Sequence, residues 1–179
     1  MKRFKPLLII LAVLAIVVGA CAAVAVVMGV TYTPPVKVVV TPTPTPKPPT
    51  KEELLKLVNE ERAKVGAAAL TVDPKLEQSA QWKADKMAET GVYNHTDETT
   101  GKNDGLDYLD SLKPTCSNIS ENLHWGTDYY GTSGGTIAGW VGSKPHYAAM
   151  VDSGYTSTGF GIATARDGTF IAVEHFCKP

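Results

Sequence analysis

GFGIATARDGTFIAVEHFC, residues 159–177, divides into two apolar runs, GFGIATA and TFIAVEHFC, around Arg166-Asp167-Gly168. An Asp-Gly step between β-branched and aromatic segments is the signature of a tight hairpin, so the end of the chain reads as two antiparallel strands. Upstream the periodicity changes. Thr50-Lys51-Glu52-Glu53 has the form of a capping box, and Leu54, Leu55, Val58, Arg62 and Val65 follow at helical spacing as far as Gly66. Asp73-Pro74 places a cap residue before a Pro at the first helical position, and Leu76, Ala80, Ala84 and Met87 form an apolar stripe that ends near Gly91. Ile137, Trp140 and Val141 lie at i, i+3 and i+4 in a short helix stopped by Gly142, and Ser143 opens another that begins Lys144-Pro145-His146. Residues 96–118, rich in Thr, Asp, Gly, Lys and Asn, read mostly as loop. Helices first and a strand hairpin last give an α+β fold, helices packed around a small antiparallel sheet.

The N-terminus is of another kind. Residues 1–5, MKRFK, are a basic flank that stays in the cytoplasm, and residues 6–30 carry no charge. At ~1.5 Å per residue a helix of that length spans roughly 36 Å, enough for a hydrocarbon core of ~30 Å. The segment is read as an uncleaved single-pass signal-anchor that leaves the C-terminal domain outside the cell membrane. A cleaved signal peptide has a shorter apolar core. Val18-Gly19-Ala20-Cys21 resembles a lipoprotein cleavage box with Cys21 as the lipidated residue, but the sequence stays apolar after it. Residues 31–50 include TPTPTPKPPT, a Pro/Thr-rich linker predisposed to the polyproline conformation, which reads as a stalk. Residues 51–179 are then one domain.

That domain holds 12 Lys and Arg against 18 Asp and Glu and no basic cluster, which argues against nucleic acid as a partner. Its two cysteines, Cys116 and Cys177, are too few for a structural zinc cage and read as a disulfide of an exported protein, the alternative being two separately buried thiols.

The order of LVNEERAKVGAAAL at 57–70, YNH at 93–95, ENL at 121–123, Trp140 with Ser143 and Pro145-His146, and the final GFG and FIAVEHF segments resembles the CAP superfamily of cysteine-rich secretory and pathogenesis-related proteins, in its bacterial SCP-like branch. The resemblance implies an α-β-α sandwich with a cleft lined by two His and one or two acids, which in some members bind a divalent metal. His95, Glu121 and His146 match the two His and the acid, with Asn122 and Ser143 as cleft-supporting neighbours. Two imidazoles and a carboxylate form a three-ligand set with a position open, suited to zinc. Leu123 and Trp125 would be strand or turn residues buried beside Glu121. Ser143 stands where eukaryotic members often carry a second Glu. It reads as a helix cap whose hydroxyl accepts from the His146 N–H, not as a nucleophile. His124 and His175 are read as outside the site, His175 because the strand period turns it away from Glu174. Trp82, Trp125 and Trp140 are read as core.

Three functions compete on this reading: a surface-displayed module whose cleft binds a lipid, glycan or peptide; a metal-assisted, peptidase-like hydrolase; and a structural envelope protein. No H-E-x-x-H motif is present, and no second acid is free as a base once Glu121 is a ligand, so binding is preferred over catalysis.

Overall fold

The computed structural model describes residues 47–179. The basic flank, the apolar segment 6–30 with Cys21, and residues 31–46 lie outside the described residues. Within them no helix is long and apolar enough to cross a membrane.

The elements in chain order are α1 (Lys51–Lys64), β1 (Thr71–Val72), α2 (Pro74–Thr90), α3 (Asp104–Ser111), β2 (Asn118–Gly126), a 3-10 turn (Asp128–Gly131), α4 (Ser133–Gly142), α5 (Lys144–Val151), β3 (Ser157–Thr164) and β4 (Phe170–Lys178). The start and stop signals act as their chemistry requires. Thr50 Oγ1 accepts from the Glu53 N–H, Asp73 Oδ1 accepts from Lys75 and Leu76, and Gly91 closes α2 in the left-handed region. The hairpin turns at Gly168, φ +86°.

The sheet order is β1-β3-β4-β2, antiparallel except for the two-residue β1, which runs parallel to β3. β4 is central and buried along both faces. Phe170, Ala172 and Phe176 pack with Leu54 and Val58 of α1, Ile137 and Trp140 of α4 and Met150 of α5. Ile171 and Val173 pack with Ala80, Ala84 and Met87 of α2. The GFG segment fits the same alternation. Phe160 enters the first core, while Gly159 and Gly161 lie against α2, where a Cβ would collide with the backbone of Leu76, Glu77, Ala80 and Gln81.

Two charged residues serve the interior. Arg62, expected in the α1 stripe, is fully buried and donates to the carbonyls of Ala68, Met150, Asp152 and Tyr155 at 2.8–2.9 Å, tying α1 to the α5–β3 connection. Burial pushes the Glu174 carboxyl well above the ordinary range, against the pull of Thr158 and Arg62. Thr158 Oγ1 lies 3.0 Å from Glu174 Oε1 and 2.9 Å from the His175 carbonyl. Its single proton goes to the carbonyl when a protonated Glu174 supplies the other hydrogen bond.

Several expectations need correction. Residues 104–111 are a helix, not loop, capped by Asn103 Oδ1 accepting from Leu106 N–H at 3.0 Å. Ser143 precedes α5, but its side chain makes no cap bond. Val65 and Val141 are exposed. Of the tryptophans only Trp140 is core. Trp82 and Trp125 are 36% and 46% exposed, stacked on Tyr108 and Tyr93.

Candidate functional site

The Cys116–Cys177 disulfide joins the segment before β2 to the end of β4, and the antiparallel register then sets Ile119 opposite Cys177 and Glu121 opposite His175. Strand alternation turns Glu121, with Ile119 and Leu123, towards α2, and Asn122 and His124 the other way. The Glu121 side chain is only 1% exposed. A buried carboxylate is tolerated where its lone pairs are satisfied, and here both oxygens are engaged. Oε1 accepts from Asn103 Nδ2 at 2.9 Å and lies 2.8 Å from His95 Nδ1; Oε2 lies 2.9 Å from His175 Nε2. Burial pushes the carboxyl up, but hydrogen bonds from His175 and His95, the charge of His175 and the Asn103 amide outweigh it and hold the group at about 2.

An ionised carboxylate only accepts, so His95 Nδ1 and His175 Nε2 both carry hydrogen. The chain of contacts continues inward, with His175 Nδ1 2.7 Å from Ser79 Oγ, and Ser79 Oγ 3.0 Å from the Leu76 carbonyl. His175 is fully buried and contacts Glu121 directly, which corrects its exclusion from the site. The alternation that separates it from Glu174 is right, but it faces the same way as its cross-strand partner.

Helix α3 supplies the rest of the cradle. Its cap residue is the Asn103 that donates to Glu121, and a Cβ on Gly105 would come within 2.7 Å of Glu121 Oε2 and 3.3 Å of His175 Nε2. The loop from His95 is held to α2 by ion pairs of Lys83 with Asp104, and of Lys86 with Asp104 (2.6 Å) and Asp97 (3.3 Å).

His95 and His146 meet at the surface, ring centres 5.9 Å apart, with the His95 side chain 46% exposed. His146 sits in the first turn of α5, where its carbonyl accepts from Asn122 Nδ2 at 3.1 Å. Burial, then the charges of His95 and His124, hold its imidazole below the usual value. The three sequence-predicted residues therefore come to one place, Glu121 hydrogen-bonded to His95 and the His95 ring facing that of His146. Among the described residues no three His, Cys, Asp or Glu side chains stand grouped to hold a metal, and the nitrogens left over at the cleft belong to two imidazoles. His124 Nε2 lies 2.9 Å from the Tyr130 carbonyl, and the residue lines the groove beside His146, which corrects its placement outside the site.

Beside His146 runs a groove of about 210 Å³ lined by Leu123, His124, Trp125, Gly139, Trp140 and Ser143. A larger hollow of about 530 Å³ lies along α2 between Trp82, Tyr108, Gln78 and Asp85, away from every imidazole. Volume and chemistry thus point to different places, and the first is the candidate site because His146, which lines it, faces the Glu121-bound His95.

The family described as "CAP: Cysteine-rich secretory protein family" matches residues 55–177. Among solved structures, an outer surface protein of Borrelia burgdorferi is 23% identical with a TM-score of 0.62, over 72% of this chain and 94% of that one. An extracellular protein of Bacillus anthracis containing an SCP domain is 20% identical with a TM-score of 0.58, over 72% of this chain and 40% of that one. A protein crystallised with Zn²⁺ is 13% identical with a TM-score of 0.50, over 70% of this chain and 77% of that one. At these identities the likeness speaks to the fold. No curated protein matches the sequence.

Proposed function

Because the chain belongs to the cysteine-rich secretory protein (CAP) family, we propose that residues 51–179 are a ligand-binding domain displayed outside the cell, carried on an anchor at residues 6–30 and a Thr-Pro stalk at residues 31–50. Its cleft, between His95, His146 and the adjoining groove, holds a ligand without breaking bonds in it.

The observation that carries this reading is the saturation of Glu121. A general base needs a free lone pair within reach of its proton and a pKa near the working pH. Glu121 is buried behind His95, accepts on both oxygens and is held at about 2, so it is too weak and too enclosed to activate water. Its role is to position His95, as a carboxylate behind an imidazole commonly does. The two imidazoles fit a divalent metal as a pair. His95 Nε2 and His146 would hold it, Glu121 would fix the His95 ring, and the remaining positions would go to ligand or water. When bound, such a metal would supply a Lewis-acidic anchor for a ligand oxygen.

The test is turnover. The purified full-length chain, with zinc present, is incubated with p-nitrophenyl esters and an unfolded protein substrate, alongside the His95→Ala/His146→Ala double variant. Equal background rates are expected. Hydrolysis that disappears in the double variant would replace binding by catalysis.

A further inference from the structure

The groove beside His146 has walls that discriminate among lipid, peptide and glycan. Its lining residues include no Lys, Arg, Asp or Glu, so an anionic headgroup or a free carboxylate would be desolvated there without a counter-charge. At about 210 Å³ it falls below the ~300–1,000 Å³ of pockets that enclose drug-sized molecules, leaving little room for an acyl chain. A peptide could add as a strand to β2, which is an edge of the sheet. That length of edge is already occupied. The Leu123 backbone carbonyl accepts from Trp140 Nε1 at 3.0 Å, so α4 already takes up a backbone group that an added strand would need.

What the groove does offer is a half-exposed indole and a set of neutral groups. Trp125 is braced by Tyr93, ring centres 5.5 Å apart and 14° from parallel, so its orientation is fixed before any ligand arrives. The Ser143 hydroxyl and the His146 ring stand in the same lining, each able to donate and to accept. Exposed Tyr129 and Tyr130 continue the aromatic surface past His124. A sugar ring matches both halves, with a C–H face for an aromatic platform and hydroxyls that donate and accept at its rim. We infer that the groove binds a neutral saccharide, one ring seated on Trp125 with its hydroxyls towards Ser143 and His146. This rests on the binding reading of the cleft and names its ligand class.

The test uses the purified full-length chain and neutral trisaccharides of glucose, mannose and N-acetylglucosamine, followed by the indole and imidazole NMR resonances. At least one trisaccharide shifts the Trp125 and His146 signals with a millimolar or tighter Kd. Trp125→Ala weakens it at least tenfold, Trp125→Phe retains most of it, and Trp82→Ala, which removes an exposed indole far from the groove, leaves it unchanged. Unchanged circular dichroism shows that the variants fold. Failure of all three sugars to move Trp125 well above millimolar concentration, or binding that survives Trp125→Ala, overturns the inference. If phosphatidylcholine vesicles or an unstructured peptide move Trp125 where the sugars do not, the saccharide assignment falls and the binding domain stands. If a trisaccharide binds and is shortened with time, but not by the His95→Ala/His146→Ala variant, the saccharide stands and the non-catalytic reading falls.

Discussion

Replacing Glu121 with Gln removes a charge while keeping the volume. Gln cannot satisfy the three donors that converge on the carboxylate, because its amide brings a donor of its own against Asn103 and His95 or against His175. The magnitude follows from the titration. Glu121 is held at about 2 in the folded protein against an ordinary value of 4.5, a depression of about 2.5 units, or about 3 kcal/mol. A depressed folded value means stability that is fully present above pH 4.5 and is lost as pH falls towards 2. Wild type should therefore exceed Glu121→Gln by about 3 kcal/mol at pH 6, and the gap should close between pH 4.5 and 2 as the carboxyl takes up its proton. Urea unfolding of both proteins at each pH from 6 to 2 measures it, since every other acid contributes alike to both. A gap that stays constant across that range, or no gap at pH 6, would refute the reasoning that an ionised, fully engaged carboxylate organises the cleft.

Three further outcomes are expected. Cys116→Ser opens a bridge with a sequence separation of 61 and should lower unfolding free energy by about 2–5 kcal/mol, and thiol labelling of the denatured, unreduced wild type should find neither Cys116 nor Cys177 free. Gly161→Ala drives a methyl into the backbone of α2 and should lower stability by about 1–3 kcal/mol or more, read as a fall in Tm. Glu174→Gln, isosteric with the protonated carboxyl, should stay within about 1 kcal/mol of wild type at neutral pH; a loss of about 3–5 kcal/mol in urea unfolding would instead mean that Glu174 is ionised and paired with Arg62.

How far the sequence could be read follows from where its polar residues are. Helices α1 and α2 and the final hairpin carry local signals at both ends, Thr50, Asp73-Pro74, Gly91 and Asp167-Gly168, and were legible for that reason. Helix α3 is short, and only Leu106 and Leu109 mark its inner side within a polar run; the Asn103 cap three residues before Leu106 was the available clue. β2 was obscured because Glu121 and Asn122 are buried polar neighbours, which breaks the apolar alternation a strand usually shows. The site itself was half legible. His95, Glu121 and His146 lie together, but the role of Glu121 depends on Asn103 and His175, and both reach it through tertiary register. Strand period alone fixes which way His175 points relative to Glu174, not what lies across from it. Pairing Cys116 with Cys177 was the one clue that β2 and β4 are neighbours. Trp125 was misassigned because an indole braced by another aromatic side chain can hold its place at the surface.

The central claim, that Glu121 is an acceptor positioning two imidazoles and not a ligand or a base, is tested most directly by the histidine tautomers. Long-range proton–nitrogen correlation of the imidazole rings at neutral pH should show hydrogen on His95 Nδ1 and on His175 Nε2, each facing the carboxylate. His95 protonated on Nε2 with a bare Nδ1, or a His175 Nε2 without hydrogen, would contradict the account, because Glu121 would then have to be the donor.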